Sequence, residues 1–426
     1  MKRTLSAALL SAVAGIAINT GASAQGVEIS ISCGAVGLGL TLCEEATQAW
    51  ADETGNTVRV VATPNSVTER LALYQQQLSA GGGEIDVYMI DVIWPGLLGS
   101  HFIDLSQYID QATIDEHFPA IVENNTVDGE LVGMPWYTDA GILYYRSDLL
   151  EQYDVEVPTT WQELTAAAQT VQTGERDAGN DRFWGFVWQG AAYEGLTCDA
   201  LEWVDSFQGG SIVAEDGSVT INNDNAIQAI DLAATWVGTI SPDGVLGYME
   251  EEARGVFQSG NAAFMRNWPY AWALSQGDDS PIRGNVGVAA LPRGGSNGVH
   301  TGTLGGWQLA VSRYSENQEI AADLVAYLAS AQEQKRRAIV GAYLPTIESL
   351  YQDPEVIEAS PIVTDLYETF TNAVARPSRV TGARYNEVSA AFWNAVHATL
   401  SGNGDAATNL ASLERELRRM SRGGRW

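Results

Sequence analysis

No catalytic signature occurs in this chain. It has no Gly-x-Ser-x-Gly, no His-Glu-x-x-His and no Asp-x-Asp-x-Asp-Gly calcium loop. Histidine is scarce. Only His101, His117, His300 and His397 occur, none within a motif, and each reads as a surface or internally satisfied residue. The three cysteines, Cys33, Cys43 and Cys198, form no Cys-x-x-Cys pair and keep no Cys/His spacing for zinc. Neither a metal nor a cofactor is expected. The glycine-rich stretch from Cys33 to Cys43 lacks the Lys-Ser/Thr of a P-loop and fails as Gly-x-Gly-x-x-Gly. It reads as a loop too rich in glycine to be helical. A glycosidase needs only one Asp/Glu pair. Among 53 acids no pair is singled out locally, so the expectation is a protein that is not an enzyme.

Basic residues are also short: 23 Lys and Arg leave a formal net charge of −30. Such a surface disfavours nucleic acid and anionic membranes, and makes an anionic ligand a poorer fit. The C-terminus runs the other way, with Arg415, Arg418, Arg419, Arg422 and Arg425. It reads as a helix end, where cations suit the dipole.

A long apolar run occurs only at the start. Lys2 and Arg3 precede an apolar stretch from Leu5 to Ile18, and Ala22-Ser23-Ala24 supplies small residues for cleavage. Residues 1–24 read as a signal peptide. The run is too short to span a bilayer, and nothing later has about 18 unbroken apolar residues. No cysteine follows the expected cut to carry a lipid. A soluble, exported, periplasmic protein is expected. Export makes a disulfide possible; Cys33 and Cys43 flank the glycine-rich loop and are placed to close it, with Cys198 left as a buried thiol.

The chain has 426 residues, 45% of them hydrophobic, enough for two or more domains. Thirteen tryptophans leave some to spare beyond the cores. Strands at 27–32, 57–62 and 85–90 alternate with helices at 44–54 and 66–80, which implies a parallel sheet. Ligands gather at the carboxyl ends of such strands. Asp91 sits at one of these ends, although it would also serve as a helix N-cap. Further on, strands are expected at 142–146, 183–188 and 285–291. Helices are expected at 161–173, 195–207, 223–238, 250–259 and 316–330. Thr160 with Glu163 forms a capping-box pattern. From 332 the chain reads as mainly helix, broken near Pro345, Pro361 and Pro377.

The stretch Arg266-Asn267-Trp268-Pro269-Tyr270-Ala271-Trp272 gathers polar donors and aromatic rings around a proline that restrains them. Such a corner suits either a buried strand end or a platform for a sugar-like ligand. Thr303-Leu304-Gly305-Gly306-Trp307 sets two glycines against another tryptophan at a strand start.

Several segments together carry a family likeness. They are Asp86-Val87-Tyr88-Met89-Ile90-Asp91, Tyr137 through Arg146, Gly185-Phe186-Val187-Trp188-Gln189-Gly190, Tyr193-Glu194-Gly195-Leu196, Gly260 through Trp272, and Thr303 through Trp307. The chain resembles an extracellular solute-binding protein of the sugar-type ABC importers, and within them the trehalose/maltose-binding, α-glucoside branch. The resemblance implies an α/β fold of the two-lobed periplasmic binding protein type (type II), with discontinuous lobes joined by a three-segment hinge. It places the N-terminal lobe at 25–138 and 304–331 and the C-terminal lobe at 139–303 and 332–426, with crossings near 137–141, 301–306 and Ala331. It implies a monomer that closes on a neutral sugar and hands it to the transmembrane permease subunits of the importer. No nucleic acid is implied.

Carried over residue by residue, the resemblance implies that Asp91, Tyr137, Asp139 and Arg376 hydrogen-bond the sugar. Trp268 and Trp307 would stack on it, and Gly306 would bring backbone close. One departure stands out. The branch carries a glutamate in its first loop, and here that place falls near Leu38-Gly39-Leu40, with no acid. Gly39 therefore marks an altered subsite, for which Asn65, Glu69 and Arg70 are the candidate compensators. A compatible-solute glycoside or polyol is the alternative ligand, and a secreted glycoside hydrolase the alternative activity.

Overall fold

Strand β1 (Glu28–Gly34), β2 (Thr57–Thr63) and β3 (Val87–Asp91) pair in parallel in the order β2-β1-β3, as the early strand–helix alternation predicts. The computed structural model describes residues 26–426 apart from Ala35 and Leu366, so the expected signal peptide lies outside the described residues. Alternation along β3 fixes what covers each face. Val87 and Met89 join a core with Leu42 and Trp50 of the helix Gly39–Thr54. Tyr88 and Ile90 join a second cluster with Leu71, Tyr74 and Leu78 of the helix Val67–Ser79. Both faces of β3 are thus buried, as the central strand of a helix-covered sheet requires.

A short hairpin, β4 (Thr126–Val127) and β5 (Glu130–Leu131), precedes β6 (Met134–Ala140). The first sheet is completed by β6 and by β11 (Leu304–Val311), which lies between β3 and β6 and runs antiparallel to both. A second sheet holds β7 (Ile142–Arg146), β8 (Trp184–Val187), β9 (Ala262–Asn267) and β10 (Val286–Ala289) in the order β10-β7-β9-β8. Its helices build a separate core in which Trp161, Trp203 and Trp236 meet Phe186 and Trp188, several of them edge to face. These tryptophans are buried within the lobe, and none lines the cavity between the lobes. The capping box is formed: Thr160 Oγ1 accepts from Glu163 N–H at 3.2 Å, and Glu163 Oε2 accepts from Thr160 N–H at 3.1 Å. That helix, Trp161–Asp177, runs past the expected end near 173, because Arg176 is tied to the carbonyl of Phe183 at 3.0 Å.

Two sheets make two lobes, and the chain passes between them at three touching places. β6 gives way to β7 at Gly141. β10 is followed by the approach to β11, where Gly302 packs so closely that an added Cβ would lie 2.6 Å from the Gly141 carbonyl oxygen. Val374 then pairs with this second segment: its N–H donates to Gly302 O, and its carbonyl accepts from Leu304 N–H, both at 2.9 Å. The third passage is therefore at Val374, not near Ala331. The helix Ala331–Gly341 and the residues after it stay on the first lobe. Leu344 bridges to Thr138 of β6, and Leu344, Tyr351, Val356 and Val363 form a small core against Phe118.

The glycine-rich stretch is also corrected. Helix begins at Gly39, inside it, and Cys43 lies in that helix, bonded to Cys33 at the end of β1. Gly37, at φ +59°, makes the turn, and Gly39 allows close approach, so the glycines shape the entry without preventing the helix. Cys198 is a buried free thiol. The basic C-terminal end closes the helix Ala406–Met420, with Arg418 and Arg419 in its last turn and Arg418 paired with Glu414 at 2.7 Å.

Gly141 leaves no space for a side chain: a Cβ there would stand 2.0 Å from Glu202 Oε1 and 2.4 Å from Arg266 Nη2. Gly141→Ala should destabilise the protein by about 1–3 kcal/mol or more, the usual range for overpacking. Thermal unfolding checks this; an unchanged midpoint would show that the passage tolerates a methyl group.

Candidate functional site

Strand register brings the expected residues together. On β11, Trp307 lies opposite Asp91 of β3 on one side and Tyr137 of β6 on the other. Directly opposed residues of antiparallel strands share a face, so an acid, an indole and a phenol form one row. Two residues earlier Gly305 lies opposite Asp139, which adds a second acid to that face. The register then shifts between Trp307 and Gln308. Gly306 adopts φ +127°, and a Cβ on it would meet the Tyr137 carbonyl at 2.8 Å, so only glycine fits there.

The other lobe supplies Trp268, held by a corner with few free torsions. Asn267 Oδ1 accepts from Trp268 N–H at 2.8 Å. The Tyr144 hydroxyl lies 2.8 Å from the Trp268 carbonyl and 3.1 Å from that of Pro269. The indole N–H reaches Glu250 Oε1 at 3.4 Å. The Arg266 guanidinium stands 4.0 Å from the ring centroid. Gly305 makes room for the indole edge, since a Cβ there would lie 3.1 Å from Trp268 Cζ3. Trp272 instead packs against the core and does not line the cleft.

Arg376 follows the third passage and joins the lobes. Its Nη2 donates to Asp91 Oδ1 and its Nη1 to Glu194 Oε1, each at 3.0 Å. Asp91 Oδ1 also accepts from Ile93 N–H at 3.2 Å, a local turn bond, whereas the short helix that follows, Pro95–Leu98, has Trp94 and not Asp91 at its N-cap. Glu194 opens the helix Glu194–Ser206 and further accepts from Ser389 Oγ at 2.7 Å and from the Tyr385 hydroxyl.

These groups surround a cavity of about 70 Å³ between the lobes. Asp91, Tyr137, Asp139, Trp268, Gly306, Trp307 and Arg376 all line it, as do Gly39, Asn65 and Arg70. Glu69 does not. It is exposed, and its N–H donates to the capping Ser66, which makes it an ordinary helix start. Arg70 is buried, donates to the Pro64 carbonyl at 2.8 and 3.2 Å, and stands 4.5 Å from the Trp307 ring centroid. At Gly39 the Tyr343 hydroxyl and the Gly34 carbonyl lie 3.2 and 3.1 Å from where a Cβ would be.

Sequence reading missed several lining residues, among them Trp136, Glu194, Glu250, Arg337 and Tyr343. Glu194 and Glu250 share one faint signal, an acid opening a helix, which by itself shows neither burial nor partners. Among the described residues no group of three or more His, Cys, Asp or Glu side chains is placed to hold a metal ion.

The cavity's charges are costly. Burial pushes the Asp139 carboxyl well above its ordinary pKa; neighbouring Asp91 adds to the rise, and Arg337 and Arg266 pull against it. Burial likewise raises Glu250 and Glu194, the latter opposed by Arg376. Burial works against the Arg376 cation too, but Asp91 and other facing groups outweigh it and raise its pKa.

Comparison with known proteins gives a consistent picture. The family model for bacterial extracellular solute-binding proteins matches residues 39–335. A probable ABC transporter-binding protein of Deinococcus radiodurans is 53% identical over 406 residues, covering 95% of this chain and 96% of that one. A galactooligosaccharide-binding protein of Bacillus subtilis is 26% identical over 257 residues, 58% of this chain and 57% of its own. Among solved structures, maltose-bound MalE3 of T. maritima superposes with a TM-score of 0.88 at 39% identity, covering 93% of this chain and 100% of that one. A ribitol complex from Agrobacterium radiobacter, at 21% identity and a TM-score of 0.82 over 93% of this chain and 99% of its own, shares the fold.

Asp139 carries a pH prediction. Its folded-state pKa lies above the ordinary 3.8, so the folded state holds the proton more tightly than the unfolded chain does. Stability then falls as pH rises above 3.8 and the carboxylate is forced to ionise in its buried site. Asp139→Asn should melt higher than the unaltered protein near neutral pH when no ligand is present. That advantage should vanish below the ordinary carboxyl range. Calorimetry across this range checks the sign; a variant that melts lower throughout would show that the carboxylate stabilises the fold.

Proposed function

The chain belongs to the bacterial extracellular solute-binding proteins, and from that premise we propose that it captures a neutral α-glucoside or disaccharide of the trehalose, maltose or sucrose kind in the interlobe cavity and presents it to an ABC permease. The family is one of transport and not of catalysis, and it acts outside the inner membrane. No described helix is long and apolar enough to cross a membrane.

The observation that carries the reading is the pairing of two tryptophans from opposite lobes with carboxylates and a guanidinium in one cavity. Trp307 is fixed by strand register and Trp268 by its tied corner. Indole faces take up the C–H surface of a pyranose, while Asp91, Asp139 and Arg376 address its hydroxyls. Hydrogen bonds between charged groups and neutral hydroxyls are strong where water is excluded. A ligand that touches both lobes binds the closed form better than the open one and shifts the population toward it, which is the signal a permease can read. The similarity to a maltose-bound protein at 39% identity supports the α-glucoside class. The absence of an acid at Gly39, where a tyrosine hydroxyl stands instead, favours a related polyol or compatible-solute glycoside as the second reading.

A thermal-shift panel of maltose, trehalose, sucrose, monosaccharides and polyols tests the ligand class. An α-glucoside should raise the melting temperature with no product formed. Hydrolysis of a nitrophenyl glycoside would count against the proposal. Within the site, Trp268→Ala should weaken sugar binding by about 2 kcal/mol or more, roughly thirtyfold, as a central aromatic anchor does. Its effect on ligand-free melting should be much smaller. Unchanged affinity with lost stability would return Trp268 to the core.

A further inference from the structure

On the first-lobe side of the cavity, hydrogen-bond donors are left over. Arg337, in the helix Ala331–Gly341, is 2% exposed and lines the cavity. Among the described residues its Nε, Nη1 and Nη2 have no hydrogen-bond partner. Three aromatic rings hold it in place: its guanidinium carbon lies 4.0 Å from the ring centroid of Trp136, 4.5 Å from that of Tyr343 and 5.0 Å from that of Tyr137. Ring faces attract the cation but give its N–H groups no directed acceptor. The indole N–H of Trp136 also lacks an acceptor. The neighbouring buried arginines are largely committed to protein partners, with Arg376 Nε the one donor of theirs left over among the described residues. Arg266 is bound to Asp199 and Glu202, Arg376 to Asp91 and Glu194, and Arg70 to the Pro64 carbonyl.

Burying a cation without acceptors is unfavourable, so its place is best explained by an acceptor that arrives with the ligand. One group on the same lobe has the opposite need. The Asp139 carboxylate lines the cavity, and no hydrogen bond to it is made among the described residues. Arg337 acts on its ionisation through space. Arginine can only donate, and an ionised carboxylate can only accept.

We propose that Arg337 and Asp139 form a subsite for a ligand hydroxyl, which accepts from the guanidinium and donates to the carboxylate. The inference rests on the sugar-binding reading and sharpens it. The ligand must carry a free hydroxyl at this point. A deoxy or methoxy group there cannot donate, and an ammonium group cannot accept. The aromatic cage orients the guanidinium before the ligand arrives, and its remaining N–H groups, with that of Trp136, suit a neighbouring oxygen on the same ring. Arg337 thus becomes a specificity-determining residue drawn from a helix outside the expected set.

The test is calorimetric titration of the mature protein, Arg337→Met and Arg337→Lys with the α-glucosides of the panel and their monodeoxy derivatives. Arg337→Met should bind the parent sugar about 10–100-fold more weakly, the usual loss for hydrogen bonds to a charged group. Its far-UV circular dichroism should be unchanged. Equal affinity in the two proteins overturns the subsite. Arg337→Lys keeps a cation inside the cage and guards against a Met variant that does not fold. One monodeoxy sugar should bind the unaltered protein at least about tenfold more weakly than its parent, and Arg337→Lys should discriminate clearly less against it. Identical discrimination in both proteins overturns the assignment. If the unaltered protein binds none of the sugars, the sugar reading falls and the subsite with it. If it binds them and Arg337→Met binds them equally, the subsite alone falls.

Discussion

The buried charge cluster around Arg266 ties the Trp268 corner to the passages between the lobes. Arg266 is inaccessible to solvent and lies on β9 opposite Leu143 of β7. Its Nε sits 3.0 Å from Asp199 Oδ1, its Nη1 donates to Gln189 at 3.0 Å, and its other contacts go to Glu202. Glu202 in turn accepts from Thr303 N–H at 3.0 Å, just before β11, and Gly141 packs against the same pair. The upper face of the guanidinium carries the Trp268 ring. Burying such a group stabilises little by itself, because desolvation offsets most of the attraction. What it secures is geometry. Removing any partner leaves a charge stranded, so the indole, the helix Glu194–Ser206 and two of the three passages keep one arrangement.

From that anchor the site follows by register. Once β11 lies between β3 and β6, the positions of Asp91, Tyr137 and Trp307 are no longer independent. Two glycines at 305 and 306 complete the arrangement by letting the second lobe's indole and the first lobe's backbone come close. The cavity is consequently rich in buried ionisable groups. Among the described residues Asp139 receives no hydrogen bond and Arg337 finds no acceptor, and both line the cavity. Sites held ready for a polar ligand carry this kind of unspent polarity, and the fold bears its cost.

How much of this was legible in the sequence differs by element. β1 to β3 and their two helices could be read from periodicity, because local alternation decides them. Asp91 at a strand end and Trp307 beside two glycines could be singled out for the same reason. That β11 inserts between β3 and β6 is a tertiary fact with no local signal. The third passage was misplaced on similar grounds. A helix over 331–341 reads the same on either lobe, and long-range contacts keep it on the first: Arg336 on Glu45 and the Leu42 carbonyl, the bridge of Leu344 to Thr138, and the small core around Tyr351. Arg337, Glu250 and Trp136 were missed because an arginine, glutamate or tryptophan in a generic helix or strand shows neither its burial nor its partners. The glycine-rich stretch misled in the other direction. Its composition argued against helix, but the bond between Cys33 and Cys43 and the packing of Leu42 hold the first turn together.

The bridge made by Arg376 has a consequence for transport economy. It joins Asp91 of the first lobe to Glu194 of the second through contacts internal to the protein. If the lobes close on ligand as proposed, every such contact favours the closed shape whether or not the cavity is filled. Each kcal/mol it contributes raises the empty closed population by about fivefold. A permease that responds to shape alone would then be engaged by vacant carriers. A ligand that takes over part of the guanidinium's hydrogen bonding exchanges one latch for another, so its net pull toward closure is smaller than its contacts suggest. On the proposed reading, Arg376 would set the contrast between full and empty, and with it the fraction of encounters at the membrane that carry cargo.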